Sequence, residues 1–367
     1  MADARADSTG IGFLGWVPGV AHLRVGRVAR GTWLFVCVFA CVWLMAWRWE
    51  RFSGAFSTPH ADRWLASAFL VVLVIGLVWF SRWDIHRMRS ASAEAQRGKG
   101  PWSVAMRRFR HNRLAVASVY VIALMYVVAI LAPLLAPYDP AAIPDVMVNR
   151  YLPPSWSHLF GTDEFGRDLF SRAIYGARVS LSIGLLAMLI AKSIGTTYGA
   201  VAAYFGGIVD DVLMRFVDIW IAFPTFYLML MLVGVFEANI LVLVLILGLT
   251  AWPGTARFIR GEILSLKNRE FTESAKAIGL PAPQIIVKHL IPSALSPVLV
   301  TAALAVAGMI GAEAGLSYLG LGIRPPTPSW GNMVAAGQDN LLHAWWVAFF
   351  PGALLTLTLI SFSLLAD

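Results

Sequence analysis

The chain has 367 residues, enough for two soluble domains, but 58% of them are hydrophobic, only 14% are charged, and the mean hydropathy is +0.69. An ordinary soluble domain carries roughly 25% charged residues, so this composition excludes a water-soluble fold and makes the bilayer span, about 20 apolar residues across roughly 30 Å, the natural unit. The net charge of +8 is uneven: residues 1–113 hold 16 Lys or Arg against 6 Asp or Glu, and the remainder holds 13 against 15. A basic excess set between apolar runs marks cytoplasmic loops more often than a nucleic-acid surface.

The expected fold is all-α and polytopic. The first apolar run follows Arg24, Arg27 and Arg30 with no small-residue cleavage site, which reads as a retained anchor. Runs at 32–47 and 64–80 form a two-helix membrane hairpin, joined by an external turn around GAFSTPHAD and flanked by basic cytoplasmic stretches. Cys37 and Cys41, four apart, share one helix face and read as packing residues. Residues 81–113 are a polar, Arg-rich linker containing SASAEAQRGKGP. Six further spans are expected at 114–136, 179–205, 212–236, 239–259, 295–322 and 343–366. Alternation from an internal linker puts 137–178 and 323–342 outside, 260–292 inside, and both termini in the cytoplasm. The resulting organisation is a basic amino terminus (1–31), an accessory hairpin (32–80), a linker (81–113) and a main transmembrane domain (114–367).

Residues 271–298, FTESAKAIGLPAPQIIVKHLIPSALSPV, are charged and Pro-rich between two apolar segments. A first helix is expected from about Asn268 to Ile278, ended by a left-handed Gly279. A second is expected from Pro281 or Pro283 to about Leu290, broken by Pro292 before the membrane. Connections this long are usually functional. Phe271, Ile278, Leu280, Ile285, Ile286 and Leu290 give the stretch an apolar face with no evident cover in the chain, hence a docking surface for a soluble partner.

The same stretch resembles the EAA loop of ATP-binding-cassette importer permeases: Glu-Ala-Ala, three residues, Gly, nine residues, Ile, any residue, Leu, Pro. Glu273, Ala275, Gly279 and Pro292 match in register, while Ser274, His289 and Ile291 depart from it. GTDEFGRDLFSRAIYGARVSLSIG, AYFGGIVDDVLMRFVDIWIAFP, EAGLSYLGLGIRPPTPSWGNMV and AWWVAFFPG, in that order, resemble the C-type permeases of dipeptide, oligopeptide and nickel importers over roughly residues 102–367. The resemblance implies six core helices of the type I importer kind, a sister permease, two cytoplasmic ATPase subunits that bind ATP and Mg, an external solute-binding protein and a bacterial inner membrane. It implies a coupling loop, about 262–292, whose first helix enters an ATPase groove. It also implies a GDGLRDALDP-like tail beyond SFSLLAD. Neither a cofactor on this chain nor a nucleic-acid partner is expected.

The outer block GTDEFGRD is read as a salt-bridged docking or cap loop involving Asp163, Gly166, Arg167, Asp168 and, from PPTPSWG, Trp330; Gly161, Gly166 and Gly176 are read as turn glycines. Catalysis there is disfavoured because no His accompanies the block, no GxSxG elbow exists and no HExxH occurs. GLGIRPP and YFGG lack GxxxxGK[ST], so the chain has no phosphate cradle of its own. Lys192, Arg215, Asp218 and Glu313 fall inside spans, where pairing is the plain expectation. A secondary transporter driven by such groups is the main alternative, and an intramembrane enzyme a more distant one.

Overall fold

The computed structural model describes residues 28–47, 61–94, 112–237 and 239–366, and every regular element among them is a helix. In chain order these are α1 (Val28–Trp47), α2 (Ala61–Glu94), α3 (Arg113–Ile130), α4 (Ala132–Leu135), α5 (Val146–Asn149), α6 (Leu169–Phe205), α7 (Gly207–Ala222) and α8 (Thr225–Val235). They continue with α9 (Ile240–Leu266), α10 (Glu270–Ala277), α11 (Ala282–Ile285), a π-turn (Ile286–Leu290), α12 (Ile291–Tyr318), α13 (Trp330–Gln338) and α14 (Trp346–Ala366).

The chain divides into two units, residues 1–108 with 130–135, and residues 109–129 with 136–367. In the first, α1 packs on α2, and α2 packs on α4. The expected spans at 32–47 and 64–80 fall in these two long helices, and α2 continues to Glu94, so the linker is helical for its first 14 residues. Residues 1–27 of the basic amino terminus, the turn at 54–60 and residues 95–111 of the linker lie outside the described residues.

The second unit holds the membrane-spanning array. Among the described residues five helices are long and apolar enough to cross a bilayer: α3, α6, α9, the continuous stretch Ala282–Tyr318, and α14. The pair α7 and α8 is apolar enough to make a broken span and is bent by 79° at Phe223 and Pro224; Pro224 cannot donate the backbone bond that would carry α7 onward. The second unit is thus an all-helical array with five single-helix spans, and a sixth where the bent pair counts as one. Several boundaries differ from those expected. Helix α6 starts ten residues before 179, because Asp168 caps it by accepting the Ser171 N–H at 2.8 Å. Its 37 residues rise about 55 Å, against a hydrocarbon core of roughly 30 Å. It therefore protrudes, and both loop systems described below build on its ends.

Helix α6 is also the centre of the packing. Gly184, Ala187, Ala191, Gly195 and Gly199 recur along one of its faces and meet α9 and α12. A Cβ added at Gly195 would lie 2.6 Å from the Trp252 carbonyl oxygen, one at Gly199 would collide with the Ala256 carbonyl, and one at Gly248 of α9 would lie 2.8 Å from Ile190 Cβ. In lipid, burying apolar side chains against one another gains little over lipid contact, so helices associate through close backbone approach at small residues. The Gly195-x-x-x-Gly199 spacing carries that signal in the sequence. Gly199→Ala is expected to lower the detergent-solubilised unfolding midpoint, at a cost of about 1–3 kcal/mol for an overpacked contact. Gly261→Ala, with open space around it, should leave the midpoint unchanged or raise it.

Candidate functional site

Two loop systems, at opposite ends of α6, carry the residues singled out in the sequence. At the Phe205 end, α10 is an amphipathic eight-residue helix. Thr272 and Ala275, three apart, are buried, whereas Phe271, Glu273, Ser274, Lys276 and Ile278 are exposed. Ala275 packs into a cluster with Ala200 and Ala203 of α6, Ile259 and Ile263 of α9, and Ile285, Ile286 and Leu290. Thr272 Oγ1 donates to the Leu266 carbonyl at 3.0 Å, and Lys267 Nζ donates to the Ala203 carbonyl at 3.2 Å. Arg260 binds Asp210 in bidentate fashion, Nε to Oδ1 and Nη2 to Oδ2, each at 2.6 Å, which joins α9 to the start of α7.

Gly279 ends α10 at φ +85°. The Gly279 N–H donates to Lys276 O at 2.9 Å and the Leu280 N–H to Ala275 O at 3.2 Å, the paired bonds of a Schellman cap. The expected left-handed turn is therefore present. Two other expectations fail. Pro292 does not break the chain before the membrane: the helix runs on from Ala282 through the π-turn into α12, with the Ile291 N–H reaching Ile286 O. The widened π-turn ends two residues before Pro292, which lacks a donor, so the irregularity is absorbed without a stop. Nor is the apolar face uncovered. Ile285, Ile286 and Leu290 are buried against α6 and α9, leaving Phe271, Ile278 and Val287 as the exposed apolar residues. His289 is half-buried and Pro292 exposed.

At the Leu169 end, residues 161–169 close on themselves. Asp163 accepts the Phe165 and Arg167 N–H groups at 2.9 Å each and Arg167 Nε at 2.7 Å, with Arg172 Nε at 3.4 Å. Gly161 and Gly166 have φ +76° and +74° and serve the turns. Gly176 does not; it lies within α6, where an added Cβ would sit 3.3 Å from Trp330 Cδ1. Trp330 is fully buried, its indole donating to Ala173 O at 3.1 Å. Ser329 caps α13 in a reciprocal box with Asn332, and Asn332 Nδ2 also holds the Ile323 and Thr327 carbonyls.

Asp163, Arg167, Asp168 and Trp330 are thus internal braces, each at most 5% exposed. The sequence pattern missed two partners. His158 Nδ1 bonds Asp168 Oδ1 at 2.9 Å, so a His does accompany the block. The other Asp168 oxygen is used by the helix cap, so the pair anchors a loop. Arg172 spans three segments, its Nη1 lying 3.0 Å from Pro140 O and 3.4 Å from Pro326 O. The carbonyls that Arg172 meets are 32 and 154 residues away, and His158 lies ten residues before Asp168 with a turn between them, so no fixed spacing could find either.

The intramembrane charges are mostly engaged. Glu313 on α12 is fully buried and accepts Ser180 Oγ of α6 at 2.9 Å and Ser317 Oγ at 2.7 Å. Ser317 Oγ accepts the Ile323 N–H at 3.1 Å, which ties the loop after α12 to the same carboxyl. Asp218 pairs with Arg257, Lys192 Nζ donates to Thr301 Oγ1 at 2.9 Å, and Arg215 is exposed.

Residues 195–367 match the family described as "Binding-protein-dependent transport system inner membrane component", and residues 100–154 match the "N-terminal TM domain of oligopeptide transport permease C". The Oligopeptide transport system permease protein OppC of Haemophilus influenzae is 40% identical over 270 residues, covering 74% of this chain and 87% of that protein. The chain belongs to this family of binding-protein-dependent transport permeases. The permease is also 38% identical over 264 residues to the Dipeptide transport system permease protein DppC of Bacillus subtilis, covering 72% of this chain and 82% of that one. To the Glutathione transport system permease protein GsiD of Escherichia coli O6:K15:H31 it is 38% identical over 267 residues, covering 73% and 88%.

Asp163→Ala would strand Arg167 and Arg172, both buried. Removing one partner of a buried ion pair costs on the order of 3–5 kcal/mol, and the permease should then be cut faster after Glu164 by a glutamate-specific protease, with wild-type cleavage rates as the contrary result.

Proposed function

We propose that the permease forms one half of the translocation path of an ATP-driven importer of di- or oligopeptides. A sister permease supplies the other half, two ATPase subunits bind ATP and Mg and hydrolyse the nucleotide, and an extracytoplasmic solute-binding protein delivers the peptide. Both termini and the α10 loop face the cytoplasm of a bacterial cell, in keeping with the basic residues Arg260, Lys267, Arg269, Lys276 and Lys288 around that loop. The matched relatives carry names for oligopeptide, dipeptide and glutathione transport, which are all peptides. Membership of a binding-protein-dependent family takes the place of the ion-coupled alternative.

The observation that carries the reading is the division of labour in α10. Its inner face is bonded and packed into the ends of α6 and α9, while Phe271, Glu273, Ser274 and Ile278 are presented outward. A helix fixed on one side and bare on the other suits insertion into an ATPase groove, with Ala275 small because it is the residue facing inward. Gly279 sets the angle at which the helix is offered, and the helix that runs unbroken through Pro292 is the span that receives its motion. At the other end, the braces at Asp163, Gly166, Arg167, Asp168 and Trp330 hold the shape of a cap that meets the binding protein or closes the path. The exposed Phe165 and Trp156, rather than the brace side chains, make the contact. The accessory hairpin at 32–80 is a separate membrane module appended to the 114–367 permease domain.

Affinity purification of the tagged permease should bring down two ATPase subunits, a sister permease and, with substrate, the binding protein; recovery of a functional transporter from this chain alone would sink the reading. Glu273→Lys should reduce ATPase recovery in that purification. Gly279→Val meets open space but strains a left-handed residue by about 1–2 kcal/mol. The complex should therefore assemble, yet transport and substrate-stimulated ATP hydrolysis should both fall; unaltered values for both would show that the turn does not set coupling.

A further inference from the structure

Helices α6, α8, α9 and α12 line an open cavity of about 480 Å³. Its wall is largely Ala, Gly, Met, Leu and Phe, and its polar groups are Lys192, Thr255 and Thr301. Lys192 is the only charged residue in that wall. It lies 23 residues after Leu169 and 13 before Phe205, which at about 1.5 Å per residue places it roughly 35 Å and 20 Å from the two ends of α6. The cavity is therefore within the depth of the bilayer rather than at either loop system.

An ammonium has three N–H donors. One of Lys192 goes to Thr301 Oγ1 at 2.9 Å, and that hydroxyl is itself engaged with Val298 O at 3.0 Å. Among the described residues no carboxylate stands within ion-pair distance of Nζ, although Asp210, Asp218 and Asp163 all have cationic partners. A cation held half-buried in an apolar wall without a counter-charge is costly in a membrane protein and marks a solute or ion path. Holding α6 against α12 does not require it. Gly184 already lets α6 contact Ile310 directly, and Glu313 joins Ser180 to α12 one level up. A neutral amide could make the Thr301 bond without bringing charge into the wall.

We propose that Lys192 is an anion subsite within the translocation path, receiving a carboxylate of the passing solute. This rests on the peptide-importer reading, which supplies a solute with a free C-terminal carboxylate. The ammonium and the Thr301 hydroxyl face a cavity whose remaining wall is apolar apart from Thr255. One such charge-assisted bond attracts the carboxylate, and the absence of a second cation in the wall keeps the hold brief. Transport sites need that balance, since the solute must leave again.

The test uses the whole importer, reconstituted in proteoliposomes with its sister permease, ATPases and binding protein. Uptake of one tripeptide is compared with uptake of its C-terminal amide, for the wild type, Lys192→Met and Lys192→Arg. Lys192→Met should slow the free acid about tenfold, the worth of one hydrogen bond to a charged group, while the amide should slow less than about twofold. Lys192→Arg should retain most of the free-acid rate. Complex yield and basal ATP hydrolysis, measured on the same preparations, should match wild type for both variants. Equal slowing of acid and amide by Lys192→Met would overturn the proposal and assign the lysine to a helix tie or to a carboxylate of the sister permease. Undiminished uptake of the acid would overturn it as well. A wild-type complex that hydrolyses ATP but takes up neither peptide would overturn the peptide reading and the subsite together, a result distinct from either of the others.

Discussion

Close backbone contact between α6 and α9 is the constraint on which the rest of this permease depends. Gly195 and Gly199 admit the Trp252 and Ala256 carbonyls to distances no side chain would permit, and Gly248 admits α6 in return. Where lipid solvates apolar surface as well as protein does, such contact supplies the packing that water would otherwise enforce. Because α6 is much longer than the bilayer is thick, one well-fixed helix then positions both loop systems. Arg172 near its first turn collects Pro140 and Pro326, and Ala200 and Ala203 near its last turns receive α10.

The two ends solve different problems with similar means. At the cap end, charges are turned inward: Asp163 gathers two backbone N–H groups and two guanidinium groups, and Asp168 divides its oxygens between a helix cap and His158. A loop of this length would otherwise be costly to order, and buried charge-assisted bonds give it one shape. At the other end the inward residues are small or aliphatic and the charges of α10 face out. The first arrangement makes a rigid surface feature, the second a helix with one packed and one exposed face.

Much of this was legible because the bilayer imposes a coarse rule. Runs of about 20 apolar residues located the core spans, and Gly279 announced its turn because few other residues adopt φ +85°. The loop motif around Glu273 likewise stood out against apolar neighbours. Other features were hidden for definite reasons. Pro292 read as a stop, since sequence shows the missing donor but not the π-turn that accommodates it. The face of Ile285, Ile286 and Leu290 read as bare because its cover comes from Ala200, Ala203, Ile259 and Ile263, up to 90 residues distant. Gly176 read as a turn, whereas its role is to let the Trp330 ring approach. The acidic and basic residues of GTDEFGRD read as salt-bridged, and Asp163 does pair with Arg167 and Arg172, but the sequence does not show how deeply they are buried. Burial of Asp163 and Arg167 depends on Arg172 and on the overlying loops, which local spacing cannot report.

The unbroken passage from α11 through the π-turn into α12 has a mechanical consequence. Had Pro292 ended the helix, α10 would hang from a swivel, and a force applied to it would be spent on bending the joint. Instead, the stem behind Gly279 is the shaft of a membrane span, while the inner face of α10 is clamped to two more. In the proposed importer, a shift of the ATPase would enter three spans at once, and the wider, less regular winding of Ile286–Leu290 is the place where torque could be taken up as rotation rather than as fracture.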